Sequence, residues 1–170
     1  MEKSSLKSAL REVRGNQTQQ QMALELNVSR ELVSKIENGT RTIPPDVSQK
    51  LMQTSENARF AFALRHEYTK TGPVWLDGPD VDLHHASVKE KTIEEMEEVI
   101  VALRNFNFAR SLKSISHWER QEIDRLLQES VEAITALEHL VVVLCENMNI
   151  SYTETWGTHY QSLRAKGWLS

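Results

Sequence analysis

The sequence has a single cysteine, Cys145, and no long apolar run. One cysteine excludes an intramolecular disulfide and suits a reducing compartment. No stretch approaches the roughly 18 consecutive apolar residues that a membrane-spanning helix needs, and no apolar run follows the first Met. We therefore expect a cytoplasmic protein without a membrane segment.

Patterns that accompany β-sheets and active sites are also missing. No sustained alternation of β-branched and polar residues occurs, which argues against strands. The chain has no Gly-x-Ser-x-Gly segment and no phosphate-cradling glycine loop, so we expect neither an enzyme nor a bound cofactor. His84 and His85 are adjacent and therefore point poorly at one ion, and no cysteine lies nearby, so we expect no metal site.

Charge is unevenly distributed along the chain. Residues 1–72 hold 11 Lys/Arg and 8 Asp/Glu, a balance of +3, whereas the remainder holds 9 and 16, a balance of −7. The hydrophobic content of 39% and the charged content of 26% are ordinary for a soluble globular protein. The split indicates that only the N-terminal part meets a polyanion.

Helical periodicity recurs along the chain. It predicts five short helices within about the first 70 residues, with Thr18 capping the second, Ser29 capping the third and Gly39 ending the third. The following "KTGPVWLDGPDVDLHH" contains two glycines and two prolines, so it is a connection rather than a helix. Trp75 in its middle suggests that the connection packs on the protein.

The C-terminal part predicts long helices from Ser87 onward. Ile93, Met96, Ile100 and Leu103 follow one another at 3-4-3 spacing. Apolar residues then repeat at alternating steps of four and three, interrupted once by Ser130, as in a heptad seam. The repeat consists of Ile123, Leu127, Ile134, Leu137, Val141, Leu144 and Met148.

Further apolar residues widen this stripe, so more than one neighbour must bury the helix. The preceding helix can cover one face, and a second copy of the chain is the natural partner for another. We therefore predict that the seven heptad residues mediate assembly into a homo-oligomer, either a dimer or a tetramer.

The segment "TQQQMALELNVSRELVSKIENG" matches a helix-turn-helix in every required position. Ala23 is small where the two helices cross, and Asn27 occupies the turn, where a left-handed backbone conformation is needed. Val28, Val33 and Ile36 are the buried anchors. Such a unit lays its second helix in the major groove of DNA.

The segment from about Leu6 to Met52 resembles the XRE/Cro/C1-type, lambda-repressor-like helix-turn-helix family. The resemblance lies in "TQQQMA", in "VSRELVSKIENGTR" and in the proline that follows. It implies an all-α fold and double-stranded operator DNA as the partner. We predict a five-helix DNA-binding domain over residues 1–70, a linker over 71–86, and a helical bundle or coiled-coil-like oligomerisation domain over 87–170.

The resemblance also implies which residues meet DNA. The groove-facing positions of the reading helix are Arg30, Glu31, Ser34 and Lys35. Arg and Lys can donate to guanine O6 and N7, and Glu can accept from cytosine N4. Contacts to phosphates are expected from Gln19, Ser29, Asn38, Thr40 and Arg41.

Simpler interpretations of the same helix stay open. Its exposed side could be a solvated face held by a Glu31–Lys35 pair four residues apart. Leu32 could contact a thymine methyl group or belong to the core.

We predict a sequence-specific transcriptional regulator of bacterial or phage type. By default it is a repressor that binds a palindromic operator as a dimer or higher oligomer. One alternative is an antitoxin that regulates its own operon while its C-terminal part binds a toxin. The other alternative is a protein-interaction adaptor that does not bind DNA.

Overall fold

The structure is a computed structural model that describes residues 6–106 and 117–170. These residues form helices and no strand, which confirms the predicted all-α fold. None of the described helices is both long and apolar enough to cross a membrane. The helices are α1 Leu6–Arg14, α2 Gln19–Leu26, α3 Arg30–Glu37, α4 Pro45–Ser55, α5 Ala58–Thr69, α6 His85–Asn105, α7 His117–Met148 and α8 Tyr152–Ala165.

Contacts divide the chain into two compact units. The first consists of Met1–Val81 together with Met148–Ser170, and the second of Asp82–Asn147. The first unit therefore holds α1 to α5 and α8, and the second is built on α6 and α7.

Helices α1 to α5 begin and end where local chemistry dictates. The Thr18 hydroxyl accepts the Gln21 N–H at 3.2 Å while the Gln21 side chain accepts the Thr18 N–H at 2.8 Å, a reciprocal capping box. Asn57 caps α5 by accepting the Phe60 N–H at 2.8 Å. These caps satisfy backbone donors that the first turn leaves unpaired. All five predicted helices are confirmed.

One core holds the five helices together. Phe60 is fully enclosed at its centre, and the connection after α5 adds Trp75, whose ring lies edge-on to Phe62 at a centroid distance of 6.1 Å. The prediction that this connection packs on the protein is confirmed. The core residues are Leu6, Ala9, Leu10, Met22, Ala23, Leu26, Val33, Ile36, Ile43, Val47, Leu51, Phe60, Ala63 and Leu64.

The second unit is an antiparallel pair of helices. The Thr92 hydroxyl donates to the Ala136 carbonyl at 3.2 Å. Further along, Glu98 of α6 lies beside Glu129 of α7. Since the residue number rises on α6 as it falls on α7, the two helices run in opposite directions. Helix α6 begins at His85, two residues before the predicted start.

The earlier start of α6 has a local cause. The His84 ring nitrogen Nδ1 accepts the Ala86 N–H at 3.3 Å, so His84 is the N-cap. Asp82 accepts the His84 N–H at 2.9 Å and the Ser87 hydroxyl at 2.5 Å. The hydrogen bonds from Ser87 and His84 hold the pKa of Asp82 below its usual range. His84 thus has a structural role at a helix end.

The buried positions of α6 and α7 differ from the most apolar ones. On α6 the buried residues are Val88, Thr92 and Glu95. On α7, Ile123 and Val141 of the predicted heptad are half-buried, and Cys145 is buried. The other large apolar residues of the two predicted patterns are 38% to 62% exposed, namely Ile93, Met96, Ile100, Leu103, Leu127, Ile134, Leu137, Leu144 and Met148.

Candidate nucleic-acid interface

The turn between α2 and α3 is left-handed at Asn27, as predicted. Asn27 has φ 58° and ψ 46°, a conformation that Asn tolerates better than most residues. The Val28 N–H donates to the Ala23 carbonyl at 2.9 Å, which closes the turn. The Ala23 side chain is completely buried, so a larger residue there would push the two helices apart.

Helix α3 is fixed at its start and along its inner side. The Ser29 hydroxyl accepts the Leu32 N–H at 3.1 Å, which confirms Ser29 as the N-cap. Val33 and Ile36 are buried in the core. Leu32 is half-buried and packs against the same core, so the alternative in which Leu32 is a core residue is the one the structure supports.

The outer side of α3 gathers the four predicted base-contacting residues. Arg30, Glu31, Ser34 and Lys35 line one shallow surface recess of about 200 Å³. The three charged side chains are exposed, and Ser34 is half-buried. Within residues 6–106 and 117–170, neither Glu31 nor Lys35 takes part in an ion pair, so the alternative of an intrahelical pair has no support.

Glu37, the last residue of α3, ties this helix to its neighbours. Its carboxylate accepts the Arg14 Nε–H at 2.6 Å and the Gln19 Nε2–H at 2.8 Å. Its backbone carbonyl accepts a bond from Arg11 at 3.0 Å. The side chain is 3% exposed. One carboxylate therefore joins α1, α2 and α3 and sets the orientation of α3.

The charge of Glu37 is stabilised by these partners. Burial acts to raise the pKa of Glu37, but the hydrogen bonds from Arg14 and Gln19, together with the charges of Arg14 and Arg11, outweigh it and lower the pKa. Glu37 is therefore ionised in the folded protein at neutral pH.

The segment after α3 carries three of the predicted phosphate contacts. The Thr40 N–H and hydroxyl both donate to the Lys35 carbonyl, at 2.9 Å and 3.1 Å. The Asn38 amide donates to the Ser34 hydroxyl at 3.4 Å. Arg41 is exposed beyond them. Gly39 has φ +69°, which confirms it as the stop of α3.

Sequence reasoning missed two residues at this site. Glu37 stands in the recognised "KIENG" run, but its partners Arg14 and Gln19 lie about 20 residues away, so only the fold reveals its role. The Lys7 side chain passes over Gly39, where a Cβ would meet its Cε at 1.7 Å. Lys7 thus adds an amine beside the segment of Asn38 and Arg41, and its position in the basic N-terminal part was the only signal.

In the part of the chain that the structure describes, one group of three carboxylates is close enough to share an ion: Glu95, Glu98 and Glu132, in the second unit. The expectation of no metal site was argued from the region of His84 and His85 and did not consider these glutamates. The spacing of three residues within each of the pairs 95/98 and 129/132 could have drawn attention to these glutamates.

Comparison with known proteins gives one match. Residues 8–54 match a family model described as helix-turn-helix, which covers most of α1, all of α2 and α3, and nearly all of α4. No curated protein matches the chain. No solved structure matches it either.

Proposed function

We propose that this chain acts as a DNA-binding transcription regulator. The premise is that residues 8–54 are a helix-turn-helix domain of the XRE, lambda-repressor-like type. Beyond that class, we propose a cytoplasmic repressor. It binds a palindromic operator as a dimer or higher oligomer and excludes polymerase by occupying the site. The observation that carries this proposal is the exposed outer side of α3, where Arg30, Glu31, Ser34 and Lys35 lie together.

The chemistry of that side suits the edges of bases. The Arg30 guanidinium and the Lys35 ammonium can donate to guanine O6 and N7 in the major groove, and the Glu31 carboxylate can accept from cytosine N4. Because Glu31 and Lys35 are not paired with each other, neither must give up an ion pair to meet a base. The Ser34 hydroxyl can donate or accept.

The inner side of α3 supports this role by holding the helix still. Glu37 binds both Arg14 and Gln19, and Val33 and Ile36 are buried. A reading helix that is ordered before binding does not lose conformational freedom when DNA arrives, so more of the contact energy appears as affinity.

Phosphate contacts would set the register of α3 in the groove. Arg41 and Lys7 are exposed cations near the end of α3, suited to a backbone phosphate. Asn38 and Thr40 lie between them in the same segment. At the other end of the unit we propose Ser29 and Gln19, although one Gln19 amide hydrogen already donates to Glu37.

Oligomerisation is proposed from the apolar face of the second unit. We give this name to Ile93, Met96, Ile100 and Leu103 of α6 with Leu127, Ile134, Leu137 and Leu144 of α7. Each is more than a third exposed, and together they present on the order of several hundred Å² of apolar surface, more than monomers usually leave uncovered.

The helix geometry places these residues on one side of the pair. Ile93 follows the buried Thr92 by one residue, and Ile134 follows the buried Ala133 by one residue. A step of one residue along a helix rotates the side-chain direction by about 100° around the helix axis. Because α6 and α7 are antiparallel, the same step on both helices turns toward the same side of the pair.

A second copy of this chain is the occupant that we propose for the apolar face. Two helix pairs that meet through such faces make a four-helix bundle, in which each pair buries the other. A two-fold symmetric dimer also supplies two reading helices, as a palindromic operator requires. A toxin or another protein partner would compete for the same surface.

The proposal is tested by selecting bound DNA from a random pool with the full-length chain. We expect enrichment of one palindromic site by the wild type. Arg30→Ala should relax the preference at one base pair, whereas Lys89→Ala, which removes an exposed cation of α6, should leave the site unchanged. Failure to enrich any site would overturn the repressor and favour an adaptor. Purification with a second protein at fixed stoichiometry would favour the antitoxin alternative.

A further inference from the structure

Two pairs of glutamates face each other across α6 and α7. Glu95 and Glu98 are three residues apart on α6, as are Glu129 and Glu132 on α7, so each pair shares one side of its helix. The carboxylate oxygens of Glu95, Glu98 and Glu132 that could bind an ion all lie within 4.8 Å of one another. Three acidic groups so close repel one another strongly unless a proton or a cation lies between them.

Buried oxygens in this group lack hydrogen-bond donors. Glu95 is only 8% exposed. Its Oε1 atom binds the Lys91 ammonium at 2.8 Å. Its Oε2 atom is enclosed and has no hydrogen-bond partner. The Oε2 atom of Glu129 is enclosed in the same way, while its Oε1 atom accepts from Arg125 at 3.3 Å. A buried carboxylate oxygen without a donor is costly and calls for a bound water or ion.

The neighbouring cations do not neutralise the group. Lys91 is shared between Glu94 and Glu95, at 2.9 Å and 2.8 Å, and Arg125 serves Glu129. Five carboxylates therefore face two cations. The group therefore keeps a net negative charge that a bound cation would offset.

We propose that Glu95, Glu98 and Glu132 bind one hard divalent cation, of the class of Mg²⁺ or Mn²⁺, between α6 and α7. The ligand atoms are all carboxylate oxygens, which such ions prefer, and the set has no imidazole or thiolate to favour zinc or copper. Glu129 lies beside the ion and adds negative charge to its surroundings.

The site has an open approach. Glu98 and Glu132 are exposed, and Glu98 lines a groove of about 550 Å³ together with Glu94, Phe106 and Arg125. Water can therefore complete the coordination of an ion that keeps part of its hydration shell.

The site is separate from the surface proposed for dimerisation. Glu98 and Glu132 each lie one residue before a position that is covered. The residues of the apolar face each lie one residue after such a position. They therefore lie on the opposite side of the helix pair. Cation binding at this site depends on neither DNA binding nor oligomerisation. The site can therefore fail its test while the proposed function stands, and the reverse.

Mn²⁺ binding to the full-length chain, stripped with EDTA and dialysed, tests the inference. The electron paramagnetic resonance signal of free Mn²⁺ should fall until one ion is bound per chain. Thermal unfolding of the wild type should shift upward with added Mn²⁺, and less so with Mg²⁺, because a ligand that binds only the folded state stabilises it.

Three variants separate coordination from general acidity. Glu98→Gln and Glu132→Gln should each weaken Mn²⁺ binding by about tenfold or more. In EDTA they should unfold at the same or a higher temperature than the wild type, because they relieve repulsion. The matched control Glu90→Gln removes an exposed charge of α6 that lies outside both the group and the groove, and should bind like the wild type. Equal weakening in all three variants, or no Mn²⁺ binding by the wild type, would overturn the site.

Discussion

Glu37 provides a sharp test of how α3 is held. Replacing it with Ala removes the bonds from Arg14 at 2.6 Å and from Gln19 at 2.8 Å. Hydrogen bonds to a charged group contribute about 1.5–3 kcal/mol each. Arg14 is 21% exposed and Gln19 is half-buried, so water can partly replace the lost partner. We therefore expect the free energy of unfolding to fall by about 2–4 kcal/mol. This loss lies toward the lower end of the destabilisation that follows when a buried ion pair is broken.

Urea denaturation of the full-length chain, followed by circular dichroism, measures this loss. Hydrogen exchange should place the destabilisation in peptides from residues 8–54. Glu31→Ala is the matched control, since it removes an exposed carboxylate from the same helix and should change stability by less than about 0.5 kcal/mol. If Glu37→Ala were as mild as the control, the carboxylate would not hold the three helices together.

The pH dependence gives an independent reading of the same interaction. The folded-state pKa of Glu37 lies below the ordinary value of 4.5, so the unfolded chain binds more protons between the two values. The contribution of Glu37 is therefore fully present above pH 4.5 and is lost as the pH falls through the folded pKa. The stability difference between wild type and Glu37→Gln should shrink over that acid range. A difference that stays constant down to low pH would contradict the ionised, paired state.

Three further predictions concern other parts of the molecule. Arg30→Ala should weaken binding to the selected operator by about 1–3 kcal/mol in a titration with labelled DNA, whereas an equal loss on all sequences would make Arg30 a phosphate contact. If the proposed homo-oligomer forms through the apolar face, Ile134→Lys should convert it to monomers in sedimentation, while Gln121→Lys, at an exposed position of the same helix, should not. Burial lowers the pKa of His139 despite its bond to the Thr135 carbonyl, so stability should fall as the pH drops below about 6.5, and His139→Gln should flatten that fall in thermal unfolding.

The local features of the N-terminal helices could be predicted from the sequence. Thr18, Ser29 and Gly39 act on backbone groups within a few residues, so their roles as caps and stop depend little on the rest of the fold. Asn27 is similar, because the left-handed turn is a property of one residue and its neighbours. The apolar spacing of Val33 and Ile36 likewise follows from the helix period.

Features that depend on how helices meet could not be predicted. Glu37 pairs with Arg14 across 23 positions of sequence, and an isolated Glu at a helix end looks like any solvated charge. On α7 the spacing identified the apolar residues but not which ones α6 covers. The small Ala133 is buried and the larger Ile134 is half exposed, because the register of the antiparallel pair decides burial. The glutamates of the two helices meet through that same register.

Methylation interference on the selected operator tests the central claim, that α3 reads bases in the major groove. A methyl group on guanine N7 blocks that groove without altering base pairing. Methylation of guanines in two clusters about 10–10.5 base pairs apart should prevent binding by the wild type, with one cluster for each reading helix of a dimer. Arg30→Ala should lose sensitivity at one guanine in each cluster. Binding that is indifferent to N7 methylation would contradict a reading helix in the major groove.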